Sequence, residues 1–311
     1  MRFLVLGAGG IGCYYGARLQ QAGHDVVYLA RGEHLQALQK KGLQVDHEAF
    51  QFHQPVTAVD EATLLKNSTI SDFDLLLVCF KSQATADWLQ LFQDWLQKGS
   101  TPLLSLQNGV DNEPLLAEVV GQARTLGGIA LRIGGHLEAP GVVTASGPAQ
   151  VVMGSWPEDQ GESPAAAFLV ELDKVFQQAG IPSRVTNRIA VELWRKLMLN
   201  NAVNPLSALT HLDTQTLSRH PHYGQAVYAL MQETAAVAAG EGLPIGEQDV
   251  EEMYELICHF DGIKTSMLVD LEKGRPLELD GISGSLLQRA KRLGLQLPVT
   301  HLVYALLTQE T

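Results

Sequence analysis

The sequence predicts an α/β protein in which an N-terminal doubly wound, mainly parallel sheet is followed by an all-α C-terminal domain. Strand and helix patterns alternate through the first half of the 311 residues, as in parallel sheets that carry helices on both faces. From Asn187 onward the strand patterns disappear and long helical patterns dominate. We therefore predict two domains, residues 1–186 and residues 187–311. We also expect a cleft between them, because ligands favour such interfaces.

Each predicted element follows from local periodicity. Short apolar runs bounded by glycine, proline or polar clusters predict strands, and apolar residues three or four apart predict helices. The predicted strands span residues 2–6, 25–30, 74–80, 102–106, 124–130, 142–146 and 150–154, and a further short strand ends at Thr186. The predicted helices span residues 11–22, 33–41, 83–97, 112–121, 163–179, 187–209, 223–241, 247–260, 263–272, 282–293 and 299–309. The turns Pro140-Gly141 and Ser146-Gly147-Pro148 predict antiparallel late strands.

A glycine-rich turn follows the first strand directly. The sequence Gly7-Ala8-Gly9-Gly10-Ile11-Gly12 reads G-x-G-x-x-G and opens a helical stretch. In this strand–turn–helix context the motif is typical of a Rossmann-type dinucleotide-binding domain, although the motif alone also fits an ordinary turn. Gly7 permits the tight turn, Gly9 lets the backbone approach a pyrophosphate, and Gly12 lets the helix pack on the strand. The helix N-terminus adds free N–H groups and partial positive charge.

The end of the second strand predicts the cofactor. An NAD site usually has Asp or Glu about 20 residues beyond the glycine motif, where it binds the ribose 2′-OH. Arg31 stands 19 residues beyond Gly12 instead. A guanidinium pairs with a 2′-phosphate, whereas a carboxylate repels it, so we predict NADPH/NADP+. Glu33 nearby argues the other way, and an Arg31 that merely ends the strand in solvent is the alternative.

The composition excludes several classes of function. The net charge of −12 argues against a nucleic-acid partner, which needs clustered basic surface. The three cysteines form no C-x-x-C pair and the ten histidines form no HExxH, so we expect no metal site and no disulfide framework. The N-terminal apolar run is too short for a signal peptide, and no run approaches a membrane span. We expect a cytoplasmic protein without a membrane partner.

Polar residues follow two of the predicted central strands. Lys81 follows the strand at 74–80, and Asn108 follows the strand at 102–106. In open α/β sheets ligands bind outside the carboxyl ends of the strands, so Lys81 can reach a cofactor phosphate and Asn108 the nicotinamide or the substrate. A solvated lysine and a turn-forming Asn-Gly pair are the alternative.

Two clusters in the second half carry further polar residues. Lys196, Asn200 and Asn204 are spaced four apart, so they share one stripe of a helix that is otherwise apolar. Burying such a stripe without hydrogen-bond partners costs free energy. The alternative is a stripe that merely faces solvent, and asparagine is a poor choice for a solvated helix face. Further on, Glu278 lies between two leucines, and we expect its carboxylate to be partly buried.

These motifs together resemble the ketopantoate reductase (2-dehydropantoate 2-reductase) family. The resemblance rests on the glycine motif, Arg31, Lys81 and Asn108-Gly109. It rests most specifically on W-x-K-x-x-x-N-x-x-x-N-P from Trp194 and S-M-L-x-D-L-x-x-G-R-P-x-E-x-D-x-I-x-G from Ser266. It covers essentially the whole chain. It implies NADPH-dependent reduction of 2-dehydropantoate, a small 2-oxo acid, to (R)-pantoate, a step toward pantothenate and coenzyme A.

The resemblance also implies a role for each matching residue. Lys196 corresponds to the general acid, and Glu278 supports the active site and the cofactor. The implied substrate-binding residues are Asn108, Asn200, Asn204 and Ser266. The implied cofactor-binding residues are Gly7, Ala8, Gly9, Gly10, Ile11, Gly12, Arg31, Lys81, Asn108 and Glu278.

The chain departs from the family pattern after Asn204. The family often has a Pro and a Gly-Glu-Leu step there, whereas this chain reads His-Leu-Asp-Thr-Gln-Thr over residues 211–216. The exact 2-oxo acid therefore stays open. One alternative is an NADP-dependent enzyme acting on another 2-oxo or β-hydroxy acid. The other is a non-enzymatic NADP-binding sensor, against which Lys196 and Glu278 argue. The apolar C-terminal helices can pack within one chain or between two, so a homodimer also stays open.

Overall fold

The computed structural model describes residues 1–158 and 164–308. The chain divides into two compact units. The first comprises Met1–Gln107 and Asn112–Ile189, and the second comprises Asn108–Asp111 and Ala190–Thr311. The first unit contains the sheets, and the second is helical over its described part, so the predicted α/β fold class is confirmed.

The first unit contains the following elements in chain order. Its strands are β1 (Arg2–Leu6), β2 (Asp25–Leu29), β3 (Leu43–His47), β4 (Phe50–Gln54), β5 (Thr57–Val59), β6 (Leu75–Val78), β7 (Leu103–Ser105), β8 (Thr125–Leu131), β9 (Gly134–Ala139), β10 (Val142–Ser146), β11 (Gln150–Ser155) and β12 (Ser183–Val185). Its helices are α1 (Gly10–Gln21), α2 (Gly32–Lys41), α3 (Glu61–Asn67), α4 (Thr85–Leu96), α5 (Asn112–Val120) and α6 (Pro164–Gln178).

The main sheet is a Rossmann-type sheet of eight strands. Its order is β5-β2-β1-β6-β7-β8-β11-β12, and every neighbouring pair is parallel except β8 and β11. The chain starts at β1, moves outward through β2 and β5, and returns to the other side of β1 as β6. The order therefore reverses between β1 and β6, and ligands bind outside the carboxyl ends of strands at such a switch point.

Helices cover both faces of this sheet because alternate residues of its strands point in opposite directions. In β1, Phe3 and Val5 are fully buried in one core with residues of α1 and α6. Leu4 and Leu6 are fully buried in the other core with residues of α4 and α5. Both faces of the central strand are thus apolar, which explains its uninterrupted apolar sequence.

A second sheet of four strands, in the order β4-β3-β10-β9, packs against α1. Among its strands the sequence predicted only β10. It missed β3, β4 and β9, and also β5 of the main sheet. In β3 buried Leu43 and Val45 alternate with polar residues that have low strand propensity, and β9 opens with Gly134-Gly135.

The prediction about the late turns is right for one turn and wrong for the other. Pro140-Gly141 joins β9 to β10, which are antiparallel neighbours. The turn at residues 146–148 instead joins β10 to β11, and these strands lie in different sheets. The strand β11 is antiparallel to β8.

The helices of the second unit follow the predicted order. They are α7 (Ile189–Thr210), α8 (Thr214–Arg219), α9 (Tyr223–Gly240), α10 (Glu247–His259), α11 (Ser266–Glu272), a π-helical turn (Asp280–Gly284), α12 (Ser285–Leu293) and α13 (Pro298–Thr308). The short helices α3 and α8 were not predicted. The helix predicted from residue 263 starts at Ser266, because the Thr265 hydroxyl accepts a hydrogen bond from the Leu268 N–H at 3.2 Å and caps it.

Two predicted helix ends lie outside the described residues, namely Ser163 of the helix at 163–179 and Gln309 of the helix at 299–309. Within the described ranges, no helix combines the length and the hydropathy that crossing a membrane requires.

A buried amide ties the second unit together. Asn201 lies in the middle of α7 with no exposed surface, and its Nδ2 donates to Thr234 Oγ1 of α9 and to Thr300 Oγ1 of α13, both at 3.2 Å. The Ser283 hydroxyl in the π-helical turn donates to Asn201 Oδ1 at 2.8 Å. All three hydrogen bonds join different elements, so this amide fixes the position of α7 among its neighbours.

We predict that Asn201→Ala destabilises the protein by about 3 kcal/mol, roughly 1 kcal/mol for each lost hydrogen bond. Urea unfolding followed by circular dichroism measures this. The matched control is Asn200→Ala, because Asn200 is partly exposed and makes no hydrogen bond within the described residues. Equal effects of the two substitutions would show that the Asn201 network does not stabilise the fold.

Candidate active site

The end of β1 meets the end of β6 at Gly7. This residue has φ +97°, a region that favours glycine, and a Cβ atom placed on it would lie 2.6 Å from the backbone nitrogen of Phe80. A side chain at this position would therefore be both strained and obstructed. The contact brings the glycine loop and the loop that carries Lys81 together at the switch point of the sheet.

The first turn of α1 is equally crowded. A Cβ on Gly12 would lie 2.3 Å from the carbonyl oxygen of Gly7, and one on Gly10 would lie 2.2 Å from the carbonyl of Gly135. The helix N-terminus is thus held between its own loop and β9. Gly10 and Gly12 are accordingly explained by protein packing alone.

Gly9 differs from these glycines. It is exposed and has extended backbone angles, φ −82° and ψ −168°, which any residue adopts. A Cβ here would meet no atom of the described chain within 4 Å beyond its sequence neighbours. Protein packing therefore does not require glycine at this position, but a ligand that approaches the backbone closely would. No side chain caps α1 and no acidic residue lies in its first turn, so the site fits a phosphate.

Arg31 lies two residues beyond the end of β2 and is exposed to solvent. It is the exposed N-cap residue of α2, and it forms no ion pair with any residue of the described ranges. Glu33 in the first turn of the same helix is also exposed. The Arg31 guanidinium is therefore available for an anionic group of a ligand.

A buried network supports the loop after β6, where partly exposed Lys81 lies. Gln107 donates through its Nε2 to the carbonyl oxygen of Phe80 and to Thr85 Oγ1, both at 2.9 Å. The Thr85 hydroxyl in turn donates to Asn112 Oδ1 at 3.0 Å. Gln107 is a site-forming residue that the sequence did not single out. A polar residue directly after an apolar strand was the signal for it.

Two predicted site residues meet in the second unit. Asn108 Nδ2 donates to Glu278 Oε2 at 3.1 Å. The same short segment, Asn108–Asp111, is also held by an ion pair between Asp111 and Arg289. The structure thus brings together Asn108 and Glu278, which are 170 residues apart in the sequence.

Arg289 is a second supporting residue that the sequence did not reveal. Its guanidinium lies 5.5 Å from the centre of the Trp194 ring and pairs with Glu241 at 2.9 Å, besides Asp111. Trp194 stands two residues before Lys196 on α7. The Trp–Arg contact therefore links the Asn108 segment to the helix that carries the predicted general acid.

The predicted stripe of Lys196, Asn200 and Asn204 lies on α7. Helical geometry places Asn200 about 6 Å and Asn204 about 12 Å along the axis from Lys196. Asn204 is only 5% exposed, and no residue of the described ranges forms a hydrogen bond with its side chain. Its carboxamide can therefore both donate hydrogen bonds to a polar ligand and accept them from it.

Ser266 is the exposed first residue of α11, and it makes no hydrogen bond with any other predicted site residue in the described part of the chain. The structure therefore places it on the surface of the second unit without joining it to the Asn108–Glu278 pair.

The segment that departs from the family pattern forms the connection from α7 to α8. His211, with φ +58°, ends α7. Asp213 Oδ1 accepts a hydrogen bond from the Thr216 N–H at 2.7 Å and caps α8. This backbone hydrogen bond lowers the pKa of the Asp213 carboxyl, which stays ionised and stabilises the helix N-terminus. A capped helix thus follows where the family often has its glycine step.

The cysteines beneath the glycine loop are not nucleophiles at neutral pH. Burial raises the pKa of the Cys79 thiol to about 12, and burial also raises the pKa of Cys13 strongly. The Cys13 thiol donates to the carbonyl oxygen of Ala8 at 3.2 Å. Both thiols therefore stay neutral and add no negative charge beside the glycine loop.

No group of three or more histidine, cysteine or acidic side chains in the described ranges is arranged to hold a metal ion.

Known proteins resemble this chain over nearly its whole length. The chain matches the family model "Ketopantoate reductase PanE/ApbA" over residues 3–158 and the model "Ketopantoate reductase PanE/ApbA C terminal" over residues 188–310. It is 29% identical over 313 residues to 2-dehydropantoate 2-reductase of Pyrococcus horikoshii, covering 98% of this chain and 96% of that protein.

Solved structures also resemble this chain over nearly its whole length. The crystal structure of 2-dehydropantoate 2-reductase from Geobacter metallireducens superposes with a TM-score of 0.87 at 31% identity, over 100% of both chains. A ternary structure of D-mandelate dehydrogenase with NADH and anilino(oxo)acetate superposes with a TM-score of 0.89 at 25% identity, over 99% of this chain and 97% of that one. The resemblance predicted from the motifs is confirmed, and the chain belongs to the ketopantoate reductase family.

Proposed function

We propose that this protein catalyses the NADPH-dependent reduction of 2-dehydropantoate to (R)-pantoate. The observation that carries the proposal is the stripe on α7, where Lys196 shares a helix face with two asparagines. One of these, Asn204, is buried without a hydrogen-bond partner in the described chain. A cation beside two carboxamides on one helix face suits a small substrate that carries a ketone, a hydroxyl and a carboxylate. Membership of the ketopantoate reductase family supports the same substrate.

In this proposal Lys196 is the general acid. The bound nicotinamide cofactor supplies the hydride when it is present. As negative charge develops on the ketone oxygen, the Lys196 ammonium stabilises it and donates the proton. Asn200 and Asn204 hold the substrate, because a carboxamide both donates and accepts hydrogen bonds. Ser266 adds a hydroxyl to this set.

Glu278 acts through Asn108. Its carboxylate accepts a hydrogen bond from Asn108 Nδ2 at 3.1 Å, which orients the Asn108 amide. Because Asp111 is held by Arg289, the segment is fixed at both of its ends. We propose that Asn108 and Glu278 together position the ligands for the reaction.

Residues at the carboxyl edge of the sheet would hold the cofactor. The open position at Gly9 and the uncapped amides of α1 suit the pyrophosphate, and Lys81 follows the adjacent strand end. Arg31, exposed and without an ion pair in the described ranges, suits the 2′-phosphate of NADPH. The D-mandelate dehydrogenase structure contains NADH. Arg31 is the residue that favours NADPH in this chain.

A substrate panel tests the function. NADPH absorbance is followed with 2-dehydropantoate, with a smaller and a larger aliphatic 2-oxo acid, and with an aromatic 2-oxo acid. We expect kcat/KM for 2-dehydropantoate to exceed kcat/KM for each of the other acids by about tenfold or more. One misfitted methylene or larger group in a substrate pocket has an effect of this size. A preference for the aromatic acid would assign a different 2-oxo acid. Tight NADPH binding without any turnover would indicate a sensor.

Arg31 gives a prediction about the cofactor. Arg31→Asp should raise the Kd for NADPH by roughly 10–100-fold, because a charge-assisted bond is replaced by repulsion, and change the Kd for NADH little. Fluorescence titration with both nucleotides measures this. Lys40→Asp is the matched control, since it makes the same charge change on an exposed residue of the same helix. Wild-type protein that binds NADH as tightly as NADPH would contradict the assignment.

The α7 stripe gives a prediction about catalysis. Lys196→Ala should lower kcat by at least about 10²-fold, the low end for the loss of a general acid, while NADPH binding persists. Asn204→Ala should act mainly on the KM for 2-dehydropantoate, because it removes binding contacts rather than the proton. Steady-state kinetics with a parallel NADPH titration separate the two effects. Near-normal turnover of Lys196→Ala would remove Lys196 from the mechanism.

A further inference from the structure

The strand pair β8–β11 extends beyond its neighbours in the main sheet. The last residue of β7, Ser105, pairs with Gly127 of β8, but β8 continues to Leu131, which pairs with Gln150 of β11. Four residues of strand cover about 13 Å, so the end of this pair projects past the carboxyl end of β7. Arg132 follows directly at the tip.

This tip belongs to the ligand-binding edge of the first unit. Because β8 runs parallel to β7, and β7 to β6 and β1, its carboxyl end lies at the same edge as the glycine loop, Lys81 and Gln107. Three residues beyond Arg132, the backbone of Gly135 packs on Gly10 in the first turn of α1. Arg132 therefore lies in the chain between the end of β8 and the N-terminus of the proposed phosphate-binding helix.

The backbone at the tip is strained. Arg132 has φ +51° and Ala149 has φ +53°, and the Ala149 N–H donates to the Arg132 carbonyl oxygen at 3.2 Å. Left-handed conformations are unfavourable for residues that carry a Cβ. In the described ranges the other non-glycine residue with positive φ is His211, which ends a helix. Two strained residues bonded to each other thus lie at the edge where ligands bind.

Glycine would relieve the strain at this position, but the chain has an arginine there. The neighbouring turn packs closely against this backbone, because a Cβ on Gly147 would lie 2.3 Å from the Arg132 carbonyl oxygen. Ala149 and Gly147 therefore hold the backbone from two sides, and they hold the base of the exposed Arg132 side chain with it. Strain that the surrounding structure maintains at a ligand-binding edge is typical of residues with a role in binding.

We propose that Arg132 is a ligand-binding residue whose guanidinium binds an anionic group at the carboxyl edge of the sheet. The proposal rests on the proposed function, which supplies two such groups, a phosphate of NADPH and the carboxylate of the 2-oxo acid. Both accept the two parallel N–H donors that a guanidinium offers. The strained backbone aims this planar donor, and the binding of the anion is the function for which the strain is retained.

The test compares two substitutions that relieve strain. Arg132→Gly removes both the strain and the guanidinium, whereas Ala149→Gly removes strain at the bonded neighbour and leaves the guanidinium in place. We expect both variants to unfold at or above the wild-type temperature. Only Arg132→Gly should lose affinity, by roughly tenfold or more, as expected for a charge-assisted contact.

The readout separates the two anions. A raised KM for 2-dehydropantoate with an unchanged Kd for NADPH assigns the carboxylate, and a raised Kd for NADPH assigns a phosphate. Arg132→Lys keeps the charge and the strain but loses the planar fork, so it should show an intermediate loss. If Arg132→Gly does not fold, the KM and Kd of Arg132→Lys are compared with those of the wild-type protein instead.

Wild-type KM and Kd in Arg132→Gly would overturn the proposal. If the wild-type protein does not reduce 2-dehydropantoate, the proposed function fails. The NADPH titration alone then decides whether Arg132 binds an anionic group. In that case an unchanged Kd for NADPH in the Arg132 variants overturns the proposal, and a raised Kd supports it for the phosphate.

Discussion

The contact between the ends of β1 and β6 leaves no room for a side chain, and the edge of the first unit at which we propose that ligands bind depends on it. Gly7 abuts the backbone of Phe80, and Gly12 abuts the carbonyl of Gly7. Gln107 holds the other side of the same loop through the Phe80 carbonyl. Packing and a hydrogen bond therefore hold the loop on both sides and leave the position at Gly9 open. If this loop binds a phosphate as we propose, its preformed shape lowers the entropic cost of binding a flexible dinucleotide.

In the second unit, asparagines on one helix differ in whether they bond to the described chain. On α7 the neighbouring residues Asn200, Asn201 and Asn204 have the same side chain but different surroundings. Asn201 has its hydrogen bonds satisfied by three other elements, so it fixes the helix. Asn204 is buried yet has no partner in the described chain, and Asn200 is partly exposed. One amide thus determines where the helix lies, and the other two are the ones that we propose bind the substrate.

Sequence reasoning predicted the features that rest on local spacing. The glycine motif, the α7 stripe and the order of the helices are all set within a few residues, so their periodicity was sufficient. The second sheet was largely missed because polar residues alternate with apolar ones in β3 and β4, and β9 opens with two glycines. Gln107 and Arg289 were missed because their roles depend on partners distant in sequence. The strain at Arg132 is a backbone property that no residue pattern reveals.

The most direct test of the account is NADPH binding by Gly9→Ala. The control is Gly246→Ala, because Gly246 is also a helix N-cap with extended backbone, and a Cβ there likewise meets no atom of the described chain within 4 Å. Both substitutions should therefore change stability by similar small amounts. We expect Gly9→Ala to raise the Kd for NADPH by about tenfold or more, and Gly246→Ala to leave it unchanged. Wild-type affinity in Gly9→Ala would show that the dinucleotide does not approach the backbone at this loop.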